Sequence, residues 1–273
     1  MTKILVAIDF SEAARRSMIY AASFAKLFQA ELALLHAYYI PTPIGDVPGY
    51  LPLSINEVQD ENEASLQREI EYLATECKIK AEGFVRMGMA TGVIRDLAKE
   101  IDAGLVIMGM KGSGNTSSIF GSTVISCIRK LKLPLLVVPG DAGFTALKHI
   151  SFAADFSNRE DMKSFGILEE IVAKFDSRVQ IIHVQKTEGE LAAAEVAGRM
   201  KTDLMFGKIP HDFHTTVSED IEKGIHSFIE EHPTDLLVMV AHHHNLFERL
   251  FGNSHTRLIA YQSHLPVLVL HDQ

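Results

Sequence analysis

The sequence predicts an α/β fold in two like halves, each a five-stranded parallel sheet flanked by helices. Three observations predict it. Short runs of Val, Ile and Leu alternate with stretches of helical periodicity. Those runs are continuously apolar, as strands buried on both faces are, and strand–helix alternation implies crossovers and a parallel sheet. Finally, four segments recur in order. ILVAIDFSEAARRS (4–17) resembles ISFAADFSNREDMKS (150–164), pairing Asp9 with Asp155. ELALLHAY (31–38) resembles RVQIIHVQ (178–185), pairing His36 with His183. AGLVIMG (103–109) resembles TDLLVMVA (234–241), and KLPLLVVP (132–139) resembles HLPVLVLH (264–271). A unit of about half the chain is a tandem duplication, not a solenoid.

The elements follow in order. The first strand is expected at 3–8. A helix follows, with Ala14, Met18, Ala21, Ala25 and Phe28 at spacings of three and four. The second strand is expected at 31–37. After it, YYIPTPIGDVPGYLPLS (38–54) holds four of the nine prolines and has no counterpart in the second half. It leaves the carboxyl end of a strand, where open α/β sheets bind ligands, and reads equally as a lid or as a plain insertion. A long polar helix is expected at 55–78, then strands at 81–86, 104–109 and 134–138. PGDAGFTA (139–146) has the composition of a linker, dividing the chain into domains at 1–140 and 146–273. In the second half, strands are expected at 148–153, 178–184, 212–217, 235–240 and 266–270. Met162, Phe165, Leu168, Ile171, Val172 and Phe175 trace its first helix face.

Charge excludes some classes of function. The 273 residues carry a net charge of −9. Nucleic-acid binding draws on Lys and Arg neutralising phosphates, so DNA and RNA are not expected partners. No apolar stretch reaches the ~18 residues of a membrane span. The opening MTKILVAIDF lacks an apolar segment followed by a small-residue cleavage site. The two cysteines, Cys77 and Cys127, form no CxxC pattern. The expectation is a soluble cytoplasmic protein with reduced thiols and no membrane contact.

Two features carry chemistry. Asp9 ends the first strand, where a carboxylate can accept hydrogen bonds from ribose hydroxyls or an adenine amino group. It reads as well as a helix cap, a role open also to Ser11. The second feature is GMKGSGNTSSIFGST (109–123), directly after a buried strand. Glycines at 109, 112 and 114 permit positive φ and close backbone approach, so that successive N–H groups can form an anion nest. Gly121, Ser122 and Thr123 open a helix whose free N–H groups and dipole favour phosphate. Lys111 can balance charge. The stretch is neither GxxxxGK[ST] nor GxGxxG.

The Asp-ended first strand, the Gly-x-x-Gly loop after the fourth strand and the Gly-Ser helix start together resemble the universal stress protein family. The likeness includes the LLHAY, AGLVIMG and LPLLVVP strands and covers nearly the whole chain. It implies two tandem Rossmann-like (adenine nucleotide α-hydrolase-like) domains and a role in stress response. The implied ligand is ATP, with AMP or ADP as alternatives and room for magnesium. By that resemblance Asp9 contacts adenine or ribose, and Ala7, Ala37 and Met108 line the base pocket. Gly109, Gly112, Gly121, Ser122 and Thr123 hold ribose and phosphates. The family pattern has nine residues between the second and third glycines, whereas SGNTSSIF has eight. In the family the last strands of two domains pair, which a tandem chain can achieve internally as a pseudo-dimer. Association of two such chains into a homodimer is left open.

The second half departs further. Ala241 stands at the place of Gly109, His244 at that of Gly112, and Asn253 or Gly252 at that of Gly121. Side chains where backbone must approach phosphate imply at most one ATP, in the N-terminal half. Asp155 leaves a nucleoside pocket conceivable. His242, His243 and His244, with His211, His214 or His255, invite a metal reading, but adjacent residues rarely converge on one ion and no metal is expected. His36 and His183 read as core histidines. No nucleophile–base pair marks an enzyme, and AIDFSEA stands where related ATP pyrophosphatases carry an SGGxDS loop. Hydrolysis of held ATP stays open. A module that binds a partner or another ligand through the C-terminal half is the alternative.

Overall fold

The computed structural model describes residues 1–40, 55–111, 120–154, 156, 163–187, 189, 191–241 and 265–271. The first half runs β1 (Lys3–Ile8), α1 (Glu12–Phe28), β2 (Glu31–Tyr38), α2 (Ile55–Thr75), β3 (Ala81–Met87), α3 (Ala90–Glu100), β4 (Leu105–Gly109), α4 (Ser122–Lys130) and β5 (Leu135–Val138). The second runs β6 (His149–Ala153), α5 (Gly166–Phe175), β7 (Arg178–Gln185), α6 (Ala193–Phe206), β8 (His211–Val217), α7 (Ile221–Glu231), β9 (Leu236–Ala241) and β10 (Val267–His271). A short 3-10 turn, Lys163–Phe165, leads into α5. Every expected strand is present, within a residue of its expected ends.

All ten strands join one sheet, in the order β3-β2-β1-β4-β5-β10-β9-β6-β7-β8. Within each half the pairings are parallel. The halves meet through one antiparallel pair, with Val137 opposite Val267, Leu136 opposite Leu268 and Leu135 opposite Val269. Each half's last strand thereby covers the other's exposed edge. The order reads alike from either end, as an internal pseudo-dimer requires.

Burial follows from this placement. β5 and β10 are buried along their whole lengths. The two outer strands read AEGFVRM and HDFHTTV, and neither contains a fully buried residue. Charge and imidazole on an edge discourage further strand addition. One layer of core packs α1, α2, α5 and α6 on one face of the sheet, and a second packs α3, α4 and α7 on the other.

Helix α1 has local stop and start signals. The Ser11 side chain accepts a hydrogen bond from the Ala14 N–H at 3.2 Å and caps the first turn. Gln29 ends the helix in the left-handed region, with φ of 56°. Helix α2 ends at Thr75, short of the expected 78. There the Ile79 N–H closes back on the Leu73 carbonyl at 3.1 Å, and Lys78 takes a φ of 51°. The linker is anchored: Phe144 packs edge-on against Tyr20 at 5.2 Å, and Leu147 is buried.

Candidate functional site

In the order 3-2-1-4-5 the chain moves outward from β1 through β2 to β3, then crosses back to the other side of β1. Such a switch point leaves a crevice beyond the carboxyl ends of the strands. A cavity of about 360 Å³ lies there. Its walls come from the ends of β1, β2 and β4 and from the first turns of α1, α3 and α4.

Eight of the nine residues expected from the sequence line this one cavity: Ala7, Asp9, Ala37, Met108, Gly109, Gly121, Ser122 and Thr123. The ninth, Gly112, lies outside the described residues, together with Gly114 and all of the eight-residue spacer but its last residue, the buried Phe120. Lys111 also lines the cavity and is exposed. Leu35, Ala90 and Ile94 complete an apolar slot around Ala7, Ala37 and Met108. Sequence reasoning missed these three. The only trace of the helical pair was the four-residue spacing of Ala90 and Ile94, which packing alone explains as well.

Asp9 is half-buried, and its Oδ1 accepts from the Ser11 N–H at 3.1 Å and from the Ser11 hydroxyl at 2.6 Å. Ser11, not Asp9, caps α1. The capping alternative is thus taken by the neighbour, and the carboxylate stays at the cavity wall.

Gly109 ends β4 without positive φ, contrary to the freedom expected of it. A Cβ there would meet Ala13 O, Lys111 O and Ser17 Oγ at 3.4 Å, ordinary contact. A side chain at this position would thus be directed at α1 and at the chain just after the strand.

Helix α4 begins with N–H groups that have no acceptor within the helix. The Gly121 N–H donates to the Met110 carbonyl at 2.9 Å, and the Met110 N–H donates to Val138 O at 2.8 Å. These bonds fix the helix start to the ends of β4 and β5. Gly121 has extended backbone and supplies no side-chain cap. The N–H groups of Ser122, Thr123 and Val124 have no intrahelical acceptor, as in any first helical turn, and all three residues line the cavity. The dipole of α4 adds partial positive charge there. Further along this helix Cys127 is fully buried. Burial pushes its thiol up to about 11, partly offset by a hydrogen bond with Thr91.

The second half differs at the matching strand position. Val184 stands where Ala37 stands in the first half. Helix α7 meets it closely: a Cβ on Gly224 would come 2.6 Å from Val184 Cγ1. Asp155, the 41–54 part of the Pro-rich segment and residues 242–264, which include the histidine run, lie outside the described residues. His211 contacts Asp203 Oδ1 at 3.1 Å, and the His214 ring lies 5.4 Å from that of His232. Among the described residues no three His, Cys, Asp or Glu side chains are grouped to hold a metal ion. Among the same residues no helix is long and apolar enough to cross a membrane.

Comparison with known proteins agrees with this geometry. The profile of the universal stress protein family matches residues 1–139 and again residues 146–271. Universal stress protein Sll1654 of Synechocystis sp. is 30% identical over 137 residues, covering 50% of this chain and 84% of that protein. Universal stress protein G of Salmonella typhimurium is 27% identical over 133 residues, covering 41% of this chain and 92% of its own. The crystal structure of a universal stress protein from Archaeoglobus fulgidus superposes with a TM-score of 0.72 at 20% identity, over 99% of this chain and 96% of the other. That last likeness is one of fold, and it extends over both halves. Two matched halves, one doubled α/β sheet and a crevice at the switch point lead to one conclusion: the chain belongs to the universal stress protein family, in its tandem form.

Proposed function

We propose that this protein binds one adenine nucleotide, ATP foremost, in the N-terminal domain, and acts in the cytoplasm as a nucleotide-responsive component of stress response. One observation carries the reading: eight residues separated by up to 116 positions, from Ala7 to Thr123, line a single cavity. Its volume of about 360 Å³ falls within the usual range of small-ligand pockets, about 300–1,000 Å³. The chemistry suits the parts of a nucleotide. The apolar slot accepts a base. Asp9 accepts hydrogen bonds from amino or hydroxyl groups. The uncapped first turn of α4 offers three N–H groups to phosphate, with the Ser122 and Thr123 hydroxyls and Lys111 near them. Magnesium would serve as a companion to the phosphates. The bound nucleotide is read as an effector, which must favour one conformation or partner complex over another to act as a switch.

The experiment is calorimetric titration of the purified chain with Mg-ATP, ADP and AMP. One site per chain, lost in Asp9→Ala combined with Ala37→Phe, is the expected result. Absence of binding overturns the reading. Phosphate release above the spontaneous rate moves it to an ATP-consuming enzyme.

A second reading places the working surface on the C-terminal domain, as a module for a partner or another ligand. What favours it is that α6 exposes Val196, Met200 and Leu204, four residues apart and so on one face. A stress phenotype unchanged in a variant that no longer binds nucleotide would select it.

A further inference from the structure

We infer that His36 is a positioning residue for the nucleotide site: its imidazole holds the turn at 8–11 that sets Asp9 against the cavity. The inference rests on the nucleotide reading above.

The turn needs holding. Asp9 lines the cavity, but Phe10 packs into the core on the other face of the sheet. The chain makes this reversal through Phe10 in the left-handed region, with φ of 59°. A bulky L-residue rarely takes that conformation unless its surroundings enforce it. His36 supplies two restraints. Its Nδ1 lies 3.0 Å from the carbonyl oxygen of Ile8. A carbonyl only accepts, so Nδ1 carries the proton and donates. Its ring stacks on that of Phe10, with centroids 4.2 Å apart and planes 26° apart. The residues on both sides of Asp9 are therefore tied to one imidazole, itself 9% exposed. The third restraint is local, Ser11 donating twice to Asp9 Oδ1.

The device is built twice. In the second half the Phe156 ring stacks on His183 at 4.3 Å and 20°, and His183 Nδ1 lies 3.4 Å from the Ala154 carbonyl oxygen. A core histidine needed only for packing has no reason to keep both the stack and the carbonyl in each copy. The longer contact in the second copy is a weaker bond, in the half where Val184 meets α7.

The test is a double-mutant cycle. His36→Phe keeps an aromatic ring for the stack and removes the donor. His36→Asn removes the ring but puts an N–H at the place of Nδ1. Each is made in the native and the Asp9→Ala background, and Mg-ATP affinity is measured by calorimetry. Losing one working hydrogen bond predicts about fivefold weaker binding for His36→Phe with Asp9 present. No further weakening is expected once Asp9 is gone, and His36→Asn recovers most of the loss. Equal weakening in both backgrounds, or no recovery with Asn, overturns the inference. Hydrogen exchange of the Ser11 amide in ligand-free protein gives a second readout: faster in His36→Phe, near native in His36→Asn. This separates the two hypotheses. If the native chain binds no Mg-ATP, the nucleotide reading fails, while Ser11 exchange still decides whether His36 holds the turn. Unchanged Ser11 exchange in His36→Phe overturns the positioning. If His36→Phe does not fold, His36→Leu removes the donor together with the ring and must weaken binding in the same Asp9-dependent way, beyond His36→Asn; equal weakening without Asp9 overturns the inference.

Discussion

Asp9 and Ser11 divide two tasks that the sequence left to either. Ser11 caps the helix, and Asp9 accepts from Ser11 while facing the cavity. Ser11→Ala should therefore have two costs. Losing the cap should lower stability by about 1 kcal/mol, seen as a lower urea midpoint, and nucleotide affinity should fall as well. Asp9→Asn should reduce affinity with little change in that midpoint. His271 poses a different residue-level question. It is buried at the junction of the halves, where its Nε2 donates to the Ile128 carbonyl at 2.8 Å. Burial holds its pKa below the usual histidine value. The unfolded chain then binds a proton, near pH 6.5, that the folded chain resists. Stability should fall as pH drops from about 6.5 toward the lowered folded value, by linkage. His271→Gln keeps a donor without the titration, so denaturation midpoints between about pH 7 and 5 should flatten in that variant. His214 is lowered as well, chiefly by burial, so part of the slope should survive.

Helices α3 and α4 decide what the cavity can hold. The first turn of α4 is uncapped at Gly121, where the backbone is extended and open to any L-residue. Gly121→Asp should place a carboxylate on the free N–H groups. It should stabilise the helix by a few tenths of a kcal/mol and abolish phosphate binding, two effects of opposite sign that thermal melts and calorimetry read separately. Helix α3 contributes Ala90 and Ile94 opposite Ala37. Giving the first half the second half's residue, Ala37→Val, should narrow the slot and weaken Mg-ATP binding about tenfold or more, since added bulk in a formed site forces strain. The converse change, Val184→Ala, should cost about 1 kcal/mol of stability through a new void beside Gly224. Cys127 should resist alkylation at neutral pH whatever the ligand, because its thiol is buried and pushed up to about 11.

The molecule as a whole depends on the β5–β10 seam. Leu136 and Leu268 face each other across it, both without solvent exposure. Among the described residues the two halves of the sheet share no other strand pairing. Leu136→Asp puts an unpaired carboxylate in that seam and should cost several kcal/mol. Calorimetric unfolding should then split from one transition into two, as the halves lose their shared edge; a single transition would mean that the packing of Phe144 and His271 suffices to couple them.

Much of this was legible in the chain. Strand positions were, because a run such as LVIMG or LPLLVV is apolar through its own local composition. The duplication was, because four collinear segments survive it. Of the nine residues named between Ala7 and Thr123, eight line one cavity, since a parallel sheet gathers the carboxyl ends of its strands. Other features belong to the tertiary structure. The antiparallel pairing of β5 with β10 joins residues some 130 positions apart, which no local pattern encodes. Leu35, Ala90 and Ile94 show the same periodicity whether they fill a core or line a cavity. The left-handed turn at Phe10 and its hold by His36 come from a ring and a carbonyl brought together by the β1–β2 register. Local hydrophobicity and backbone preference are written residue by residue; whether two surfaces leave space between them, as at Ala37, or meet, as at Val184, is settled only when they pack.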